Sequence, residues 1–291
     1  MNGWCILGAG LLLSAPQPPR RAAPTPRFDH VFIIVEENHD YSDVIGNPAM
    51  PYLNRLADRY GLATQYYANT HPSIGNYFML TVGDTVTNDD DFSGTVTRDN
   101  IVRRLVAAGK TWKSYAEDLP TVGYTGDGPG AYARRHNPLS YLSDVVNDAV
   151  QRQRLVPFSQ FASDLANKAL PNYAFIVPNV CHDAHSCGLD SADQWLRTNI
   201  APLIASPDFQ RGGLLILAFD EASGSDKTRG GGRIAWVAVS GKSKRRDQSA
   251  ALYQHQSTLR LTAEALGLTT FPGAAATAPE MAEFFEQGAR R

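Results

Sequence analysis

Three apolar segments of the chain each run directly into acidic, amide or imidazole side chains. The most compact are Val31–Asn38 (VFIIVEEN) and Leu214–Glu221 (LLILAFDE), and a looser version spans Tyr173–Asp183 (YAFIVPNVCHD). Uninterrupted apolar runs of this length are typical of strands buried on both faces of a parallel sheet. Open α/β sheets build their sites beyond the carboxyl ends of such strands. The pattern therefore predicts one sheet that brings these polar groups to one place.

Helical and extended patterns alternate along the rest of the chain. Helical spacing and end signals predict helices at 50–60, 77–82, 101–108, 158–170, 193–205 (with Asp193 at its start) and 256–266. Further strands are predicted at 62–68, 111–115 and 234–240. This alternation predicts a single α/β domain with a mainly parallel central sheet flanked by helices. The helix predicted at 77–82 places Ser73 just ahead of a helix N-terminus.

Two long connections are predicted as loops. Within Asp84–Asn100, the residues Asp89, Asp91, Ser93 and Gly94 begin like an EF-hand calcium loop. The twelfth position counted from Asp89 is Asn100, where a bidentate Glu is needed, which excludes that type of site. Pro120–Pro138 is rich in Gly, Pro and Tyr, and a loop of this length in a compact domain is usually functional. It ends in a candidate substrate-facing cluster, Arg134, Arg135, His136 and Asn137.

Charge and the N-terminus narrow the class of protein. The formal net charge of −2 over 291 residues argues against a nucleic-acid partner, and the basic run Lys242–Arg246 is interpreted as a solvated loop. The apolar segment Trp4–Ser14 is too short to span a bilayer and is followed by a linker-like stretch. We expect a leader over residues 1–26, a catalytic domain over 27–291 without stable membrane insertion, and a secreted, periplasmic or cell-surface location.

Cysteine usage agrees with export. Cys5 lies in the leader, so Cys181 and Cys187 are the remaining pair. Their spacing can close a small disulfide loop, which persists in an exported protein. A zinc site is the alternative, although no second Cys pair accompanies these two.

The polar groups at the three strand ends are of the types that bind hard cations. They are Glu37 and Asn38, Asp183 and His185, and Asp220 and Glu221. Such a set suits Mg²⁺, Mn²⁺, Ca²⁺ or Zn²⁺. A metal-activated Ser73 facing a phosphate would be a coherent device for phosphoryl transfer, with a histidine protonating the leaving alkoxide. Each residue also has an ordinary structural alternative, as a turn serine or as a solvated strand-end acid.

The sequence also leaves both structural and functional roles open for the other histidines. His30 is interpreted as structural, and His39 and His71 either orient neighbours or make loop hydrogen bonds. His182 is a possible ligand.

Six motifs stand out along the chain. They are VEENHDYSDVIGN (35–47), THPSIGNYFMLTVGDT (70–85), ARRHNP (133–138), PNVCHDAHSC (178–187), FDEASG (219–224) and YQHQSTLR (253–260). With these motifs in this order, the chain resembles over 28–268 a phosphoesterase family that contains secreted acid phosphatases and phosphatidylcholine-type phospholipases C, and most closely its small acid phosphatases. The resemblance implies an alkaline-phosphatase-like fold.

The resemblance also implies roles for individual residues. Ser73 matches the nucleophile, which is also a metal ligand, and the remaining metal-site positions match Glu37, Asn38, Asp183, Asp220 and Glu221. His185 matches a phosphate contact or general acid, and His136 and His255 match positions that border the site. Two departures from the family pattern stand out: Gly75, where Pro is common, and His182, where Asn is frequent.

These observations predict a metal-dependent phosphoric monoester hydrolase that acts through a phosphoserine intermediate on a small-molecule or lipid phosphate ester. One alternative is a phospholipase C that cleaves the phosphodiester of a lipid headgroup. The other is a non-catalytic surface or phosphate-binding module on the same scaffold. The sequence does not fix the metal or the oligomeric state.

Overall fold

The computed structural model describes residues 24–128 and 130–286. The apolar segment of the predicted leader, including Cys5, lies outside these residues. The described residues form strands at His30–Glu36 (β1), Gly61–Ala63 (β2), Tyr66–Tyr67 (β3), Trp112–Ala116 (β4), Leu155–Pro157 (β5), Tyr173–Val177 (β6), Gly213–Phe219 (β7), Trp236–Ser240 (β8), Asp247–Ser249 (β9) and Tyr253–Gln254 (β10).

Helices connect and flank these strands. They span Tyr41–Val44 (α1), Pro51–Arg59 (α2), Ile74–Val82 (α3), Ile101–Ala107 (α4), Ser143–Val146 (α5), Ala149–Arg152 (α6), Ser159–Ala166 (α7), Leu189–Ala205 (α8), Pro207–Gly212 (α9) and His255–Ala265 (α10). Short 3-10 turns lie at Arg134–His136, Pro138–Tyr141, Thr228–Gly230, Gly273–Ala276 and Ala282–Phe284. Helix α3 packs against α10, and α2 packs against α8.

The central sheet has eight strands in the order β5-β4-β6-β1-β7-β8-β2-β9, and β3 and β10 form a separate parallel pair. Strand β1 pairs in parallel with β6 on one side and β7 on the other. All residues of β6 and β7, and all of β1 beyond His30, are buried, which explains their uninterrupted apolar runs. The prediction of a mainly parallel sheet flanked by helices is confirmed. Strand β8 is the exception, since it is antiparallel to β7 and β2.

The register of β1 and β7 aligns their polar ends. Glu36 lies opposite Phe219, and the backbone N–H of Asp220 donates to the Glu36 carbonyl at 2.9 Å. Glu37 and Asp220 therefore leave neighbouring strands side by side, as the pattern predicts.

Two predicted elements differ from the structure because of long-range contacts. The strand predicted at 62–68 is broken by a turn at 64–65. The N–H of Thr64 still donates to the Ser249 carbonyl beside β9 at 2.8 Å, whereas the Gln65 carbonyl accepts from the N–H of Tyr253 in β10 at 3.1 Å. The helix predicted to start at Asp193 begins four residues earlier, at Leu189. The buried Asp193 carboxylate instead accepts bonds from the N–H groups of Tyr52 and Leu53 at the start of α2.

Candidate active site

Ser73 is the N-cap residue of α3, as the sequence predicts, but its hydroxyl does not cap the helix. It donates to Glu37 Oε2 at 3.1 Å and is 3% exposed. Helix α3 is buried along its whole length, and this packing fixes the position of Ser73 at its N-terminus. Asn76 holds the preceding loop: its Oδ1 accepts from the N–H of Asn69 at 2.9 Å, and its Nδ2 donates to the Thr70 carbonyl at 2.8 Å.

Glu37 lies at the centre of the cluster. Its other oxygen, Oε1, accepts a 2.5 Å hydrogen bond from the Tyr77 hydroxyl, and its N–H donates to the Asp183 carbonyl at 2.7 Å. Burial raises the pKa of Glu37 well above the usual range, and the charges of Asp220 and Asp183 add to the shift. This carboxyl group therefore lies where an additional positive charge would stabilise its ionised form.

His136 joins Glu37 to Asp183. Its Nδ1 lies 2.9 Å from Asp183 Oδ2, and its Nε2 lies 3.3 Å from Glu37 Oε1. The imidazole stacks on the Tyr77 ring at a centroid distance of 5.3 Å. Burial lowers the pKa of His136, against the opposing effect of Asp183. Ligand atoms of Glu37, His136 and Asp183 all lie within 4.8 Å of one another, so this buried group could hold a metal ion.

Asp220 and Glu221 form the next part of the cluster. Asp220 Oδ1 accepts from the N–H of Asn38 at 3.0 Å, which Asn38 reaches with a φ of 55°, a conformation that Asn tolerates better than most residues. Burial raises the pKa of Asp220 to about 7. Burial and then the Asp220 charge raise the pKa of Glu221 to about 9. Glu221 Oε2 contacts His71 Nδ1 at 3.2 Å.

The donor set fits a divalent cation on two counts. Asp220 Oδ2 and His136 Nε2 are buried, and neither makes a hydrogen bond within the described chain. Buried carboxyl oxygens and an imidazole nitrogen are also donors that such cations accept. A cation among them would satisfy the unpartnered atoms and offset the crowded carboxylates.

The two remaining candidate histidines lie at different depths. His185 is exposed at the outer side of the cluster, where its N–H donates to Asp183 Oδ1 at 2.9 Å and its ring lies 5.8 Å from that of His136. His255 is buried behind the acidic pair, with Nε2 at 2.6 Å from the Asp220 main-chain carbonyl. The structure thus brings His136 and His185 to the carboxylates, whereas His255 contacts only the backbone of the pair.

The loop that carries Asp183 and His185 is closed by a disulfide between Cys181 and Cys187. These two sulfurs are therefore not zinc ligands. His182 in the same loop is turned away: its Nδ1 contacts Glu117 Oε2 at 2.8 Å, and its ring stacks near Trp195.

The predicted substrate-facing cluster is divided by the structure. Arg134 is buried over the Tyr141 ring at 3.9 Å, and Asn137 Oδ1 accepts from the Ser114 hydroxyl at 2.8 Å. Arg135 instead lies beside the site, with Nη2 at 3.4 Å from His185 Nε2. The arrangement of a 3-10 turn explains this division, because successive side chains point in different directions.

Three residues that make hydrogen bonds at the site were not predicted from the sequence: Asn76, Tyr77 and Asp90. Asn76 and Tyr77 stand three and four residues after Ser73, which places them on the same helix face. That spacing was the signal for them. Asp90 lies in the loop that follows α3, and its carboxylate accepts from the N–H of Ile74 at 3.1 Å. The sequence carries no comparable signal for that contact.

Comparisons with known proteins identify the family of the chain. A model of the phosphoesterase family matches residues 47–269. The chain is 35% identical over 231 residues to a phosphatidylinositol-3-phosphatase of Mycobacterium tuberculosis, covering 77% of this chain and 75% of that protein. It is 34% identical over 201 residues to a phosphate-repressible acid phosphatase of Penicillium chrysogenum, covering 67% of this chain and 48% of that protein.

Solved structures show the same fold. A protein of the alkaline phosphatase superfamily from Vibrio parahaemolyticus superposes with a TM-score of 0.61 at 13% identity, covering 88% of this chain and 71% of that one. The lipoteichoic acid synthase LtaP from Listeria monocytogenes gives 0.62 at 9% identity, covering 86% and 75%. None of the described helices has the length and apolar character needed to cross a membrane.

Proposed function

The chain belongs to the phosphoesterase family and is a hydrolase of phosphate esters, and we propose that it is a metal-dependent phosphoric monoester hydrolase, an acid phosphatase with Ser73 as nucleophile. The observation that carries this proposal is the contact of Ser73 Oγ with Glu37 Oε2 at 3.1 Å, at the N-terminus of a buried helix. A serine hydroxyl is a weak nucleophile until a base or metal activates it. The carboxylate cluster around Ser73 is suited to both means of activation.

The residues that we assign to the metal are Glu37, Asn38, Ser73, Asp183, Asp220 and Glu221, and His136 adds a nitrogen donor. When bound, a divalent cation supplies positive charge that favours ionisation of the serine hydroxyl and offsets charge on the phosphoryl oxygens. The unpartnered Asp220 Oδ2 and His136 Nε2 support this assignment.

The reaction that we propose has two displacements. The Ser73 proton leaves along the bond to Glu37 as the Oγ–P bond forms. The P–O bond to the alcohol then breaks, and the alcohol oxygen takes a proton from His185. The exposed position of His185 lets the alcohol depart to solvent. In the second displacement His185 takes a proton from water as the water oxygen attacks the phosphoserine, and the P–Oγ bond breaks. Ser73 Oγ takes back the proton held by Glu37, which releases inorganic phosphate and restores the serine hydroxyl.

Hydrolysis of a chromogenic phosphate monoester by residues 27–291 tests this proposal. We expect activity that falls on chelation and returns with one added divalent metal. Ser73→Ala should abolish turnover while retaining the fold, and Ser163→Ala on the exposed side of α7 is the matched control. Near-normal turnover by the Ser73→Ala variant would refute the nucleophile.

The substrate class is part of the proposal. The names of the relatives, phosphatidylinositol-3-phosphatase and acid phosphatase, both denote removal of a phosphate group. We therefore propose a small-molecule or lipid phosphate monoester as substrate. Comparing a soluble monoester, a short-chain inositol phospholipid monophosphate and a phosphodiester under one set of conditions separates this proposal from phospholipase C activity. Binding of phosphate without hydrolysis of any ester would favour the non-catalytic module.

We also propose that the protein functions outside the reducing cytosol. The Cys181–Cys187 disulfide supports this location, because such bonds persist in oxidising compartments. Cell fractionation together with thiol labelling of the native protein tests it. Recovery in the cytosolic fraction with both thiols free would contradict it.

A further inference from the structure

The loop between α3 and α4 folds back over the first turn of α3. Gly75 permits this close approach, because a Cβ there would lie 2.5 Å from Asn88 Oδ1 and 3.3 Å from the Thr87 carbonyl oxygen. The loop thereby places the Asp90 carboxylate on the N–H of Ile74 at 3.1 Å. Ile74 directly follows Ser73, so a carboxylate lies one residue from the proposed nucleophile.

The N–H groups in the first turn of a helix have no partner within the helix and favour anions. A phosphoryl group in position for attack by Ser73 would lie beside this turn, and the Ile74 N–H would be a donor for one of its oxygens. In the structure, the Asp90 carboxylate accepts the hydrogen bond from this N–H. Asp220 lies close enough to Ser73 to interact with its hydroxyl, and the buried Asp220 Oδ2 makes no hydrogen bond within the described chain, so a cation that would balance a bound phosphate has a place beside this turn.

Arg135 lies between Asp90 and His185 and so shows that Asp90 borders the site. Arg135 Nε lies 3.9 Å from Asp90 Oδ2, while its Nη2 lies 3.4 Å from His185 Nε2. Asp90 is partly exposed, so an incoming anion can reach and displace it.

We propose that Asp90 is a built-in competing anion, which occupies the place of a phosphoryl oxygen at the Ile74 N–H and thereby weakens the binding of inorganic phosphate. The inference rests on the proposed function, since it assumes that phosphate binds beside Ser73. Any bound phosphoryl group must displace Asp90 from this amide, so the enzyme binds inorganic phosphate less tightly and releases it more readily than the open helix end would allow.

The simpler alternative is that Asp90 only caps α3. Replacement by Asn separates the two roles, because Asn is as good an N-cap acceptor as Asp but carries no charge. Asp91 is the matched control: it is the next residue in the same loop, it is exposed, and Asp91→Asn changes the net charge of the chain equally.

The experiment is calorimetric titration of inorganic phosphate into the metal-supplemented wild-type, Asp90→Asn and Asp91→Asn proteins. We expect the Asp90→Asn protein to bind phosphate about five- to tenfold more tightly at low ionic strength, a gain that diminishes as salt is raised. The Asp91→Asn protein should match the wild type. Equal or weaker binding by the Asp90→Asn protein, or no phosphate binding by any of the three, would overturn the proposal.

Two further measurements complete the test. Elemental analysis should show equal metal content in the wild-type and Asp90→Asn proteins, and a loss in the variant would identify Asp90 as a metal ligand and overturn the proposal. Monoester hydrolysis by the wild type, set beside the phosphate affinities, separates this inference from the proposed function. If the wild type hydrolyses no monoester but Asp90→Asn still tightens phosphate binding, only the proposed function fails. If the wild type is active and the affinities are equal, only this inference fails.

Discussion

The candidate site has two halves that are built in different ways. The strand half consists of Glu37 and Asp220, which follow adjacent parallel strands, and Ser73 at the start of a buried helix. The loop half consists of His136, Asp183 and His185, which are carried by long connections and held by hydrogen bonds and a disulfide. Strand pairing and a buried helix fix the first half, whereas loop hydrogen bonds and the disulfide fix the second. We therefore expect the two halves to respond differently to substitution.

The largest effect should come from the strand half. Glu37→Gln removes the charge that accepts the Ser73 hydrogen bond and faces the metal, so kcat should fall at least about a thousandfold and bound metal should be lost. Turnover and elemental analysis measure the two effects.

Glu36→Gln is the matched control for that substitution, because both neighbouring side chains are fully buried and the Glu36 carboxyl group makes no hydrogen bond within the described chain. The control should retain metal and most activity. An equal loss in both variants would mean that burial of charge near the strand end, and not the specific position of Glu37, determines the effect.

The next effect should come from the loop half. Replacing both Cys181 and Cys187 by Ser opens a loop with a sequence separation of 6, and loop entropy predicts a loss of about 2 kcal/mol in the free energy of unfolding. The kcat should fall about ten- to a hundredfold because Asp183 and His185 lose their fixed positions. Thermal unfolding and kinetics measure both effects, and reduction of the wild type by dithiothreitol should reproduce them. Full activity in the double variant would show that the hydrogen bonds alone hold this half.

A smaller effect is expected behind the strand half. His255→Ala leaves the Asp220 carbonyl without its imidazole partner, so we expect an about tenfold fall in kcat with little change in KM. The pH profile of the variant should keep the wild-type shape, because His255 has no contact with the reacting groups in this account. A lost limb in the profile would instead assign His255 to proton transfer.

The smallest effect is expected at His182. Its imidazole is held by Glu117 and lies away from the carboxylates, so His182→Ala should change metal affinity less than about twofold. A loss of metal comparable to that of Glu37→Gln would place His182 among the ligands and make the loop half a direct part of the metal site.

The sequence predicted the strand half better than the loop half for a physical reason. Apolar runs reveal buried parallel strands, and neighbouring strands necessarily bring Glu37 and Asp220 together. The contact of His136 with both Glu37 and Asp183 depends on how a long loop folds back, which no local pattern encodes. The contact of Asp193 with the start of α2 was missed for the same reason.

Trapping the covalent intermediate tests the central claim most directly. The wild-type enzyme is mixed with a reactive phosphate monoester, quenched in acid during turnover and mapped by peptide mass spectrometry, with Ser73→Ala and Ser163→Ala treated in parallel. The account predicts phosphate on Ser73 in the wild type and in Ser163→Ala, and on no peptide of Ser73→Ala. Phosphate on another residue in the active wild-type enzyme, or the same labelling in the Ser73→Ala variant, would contradict it.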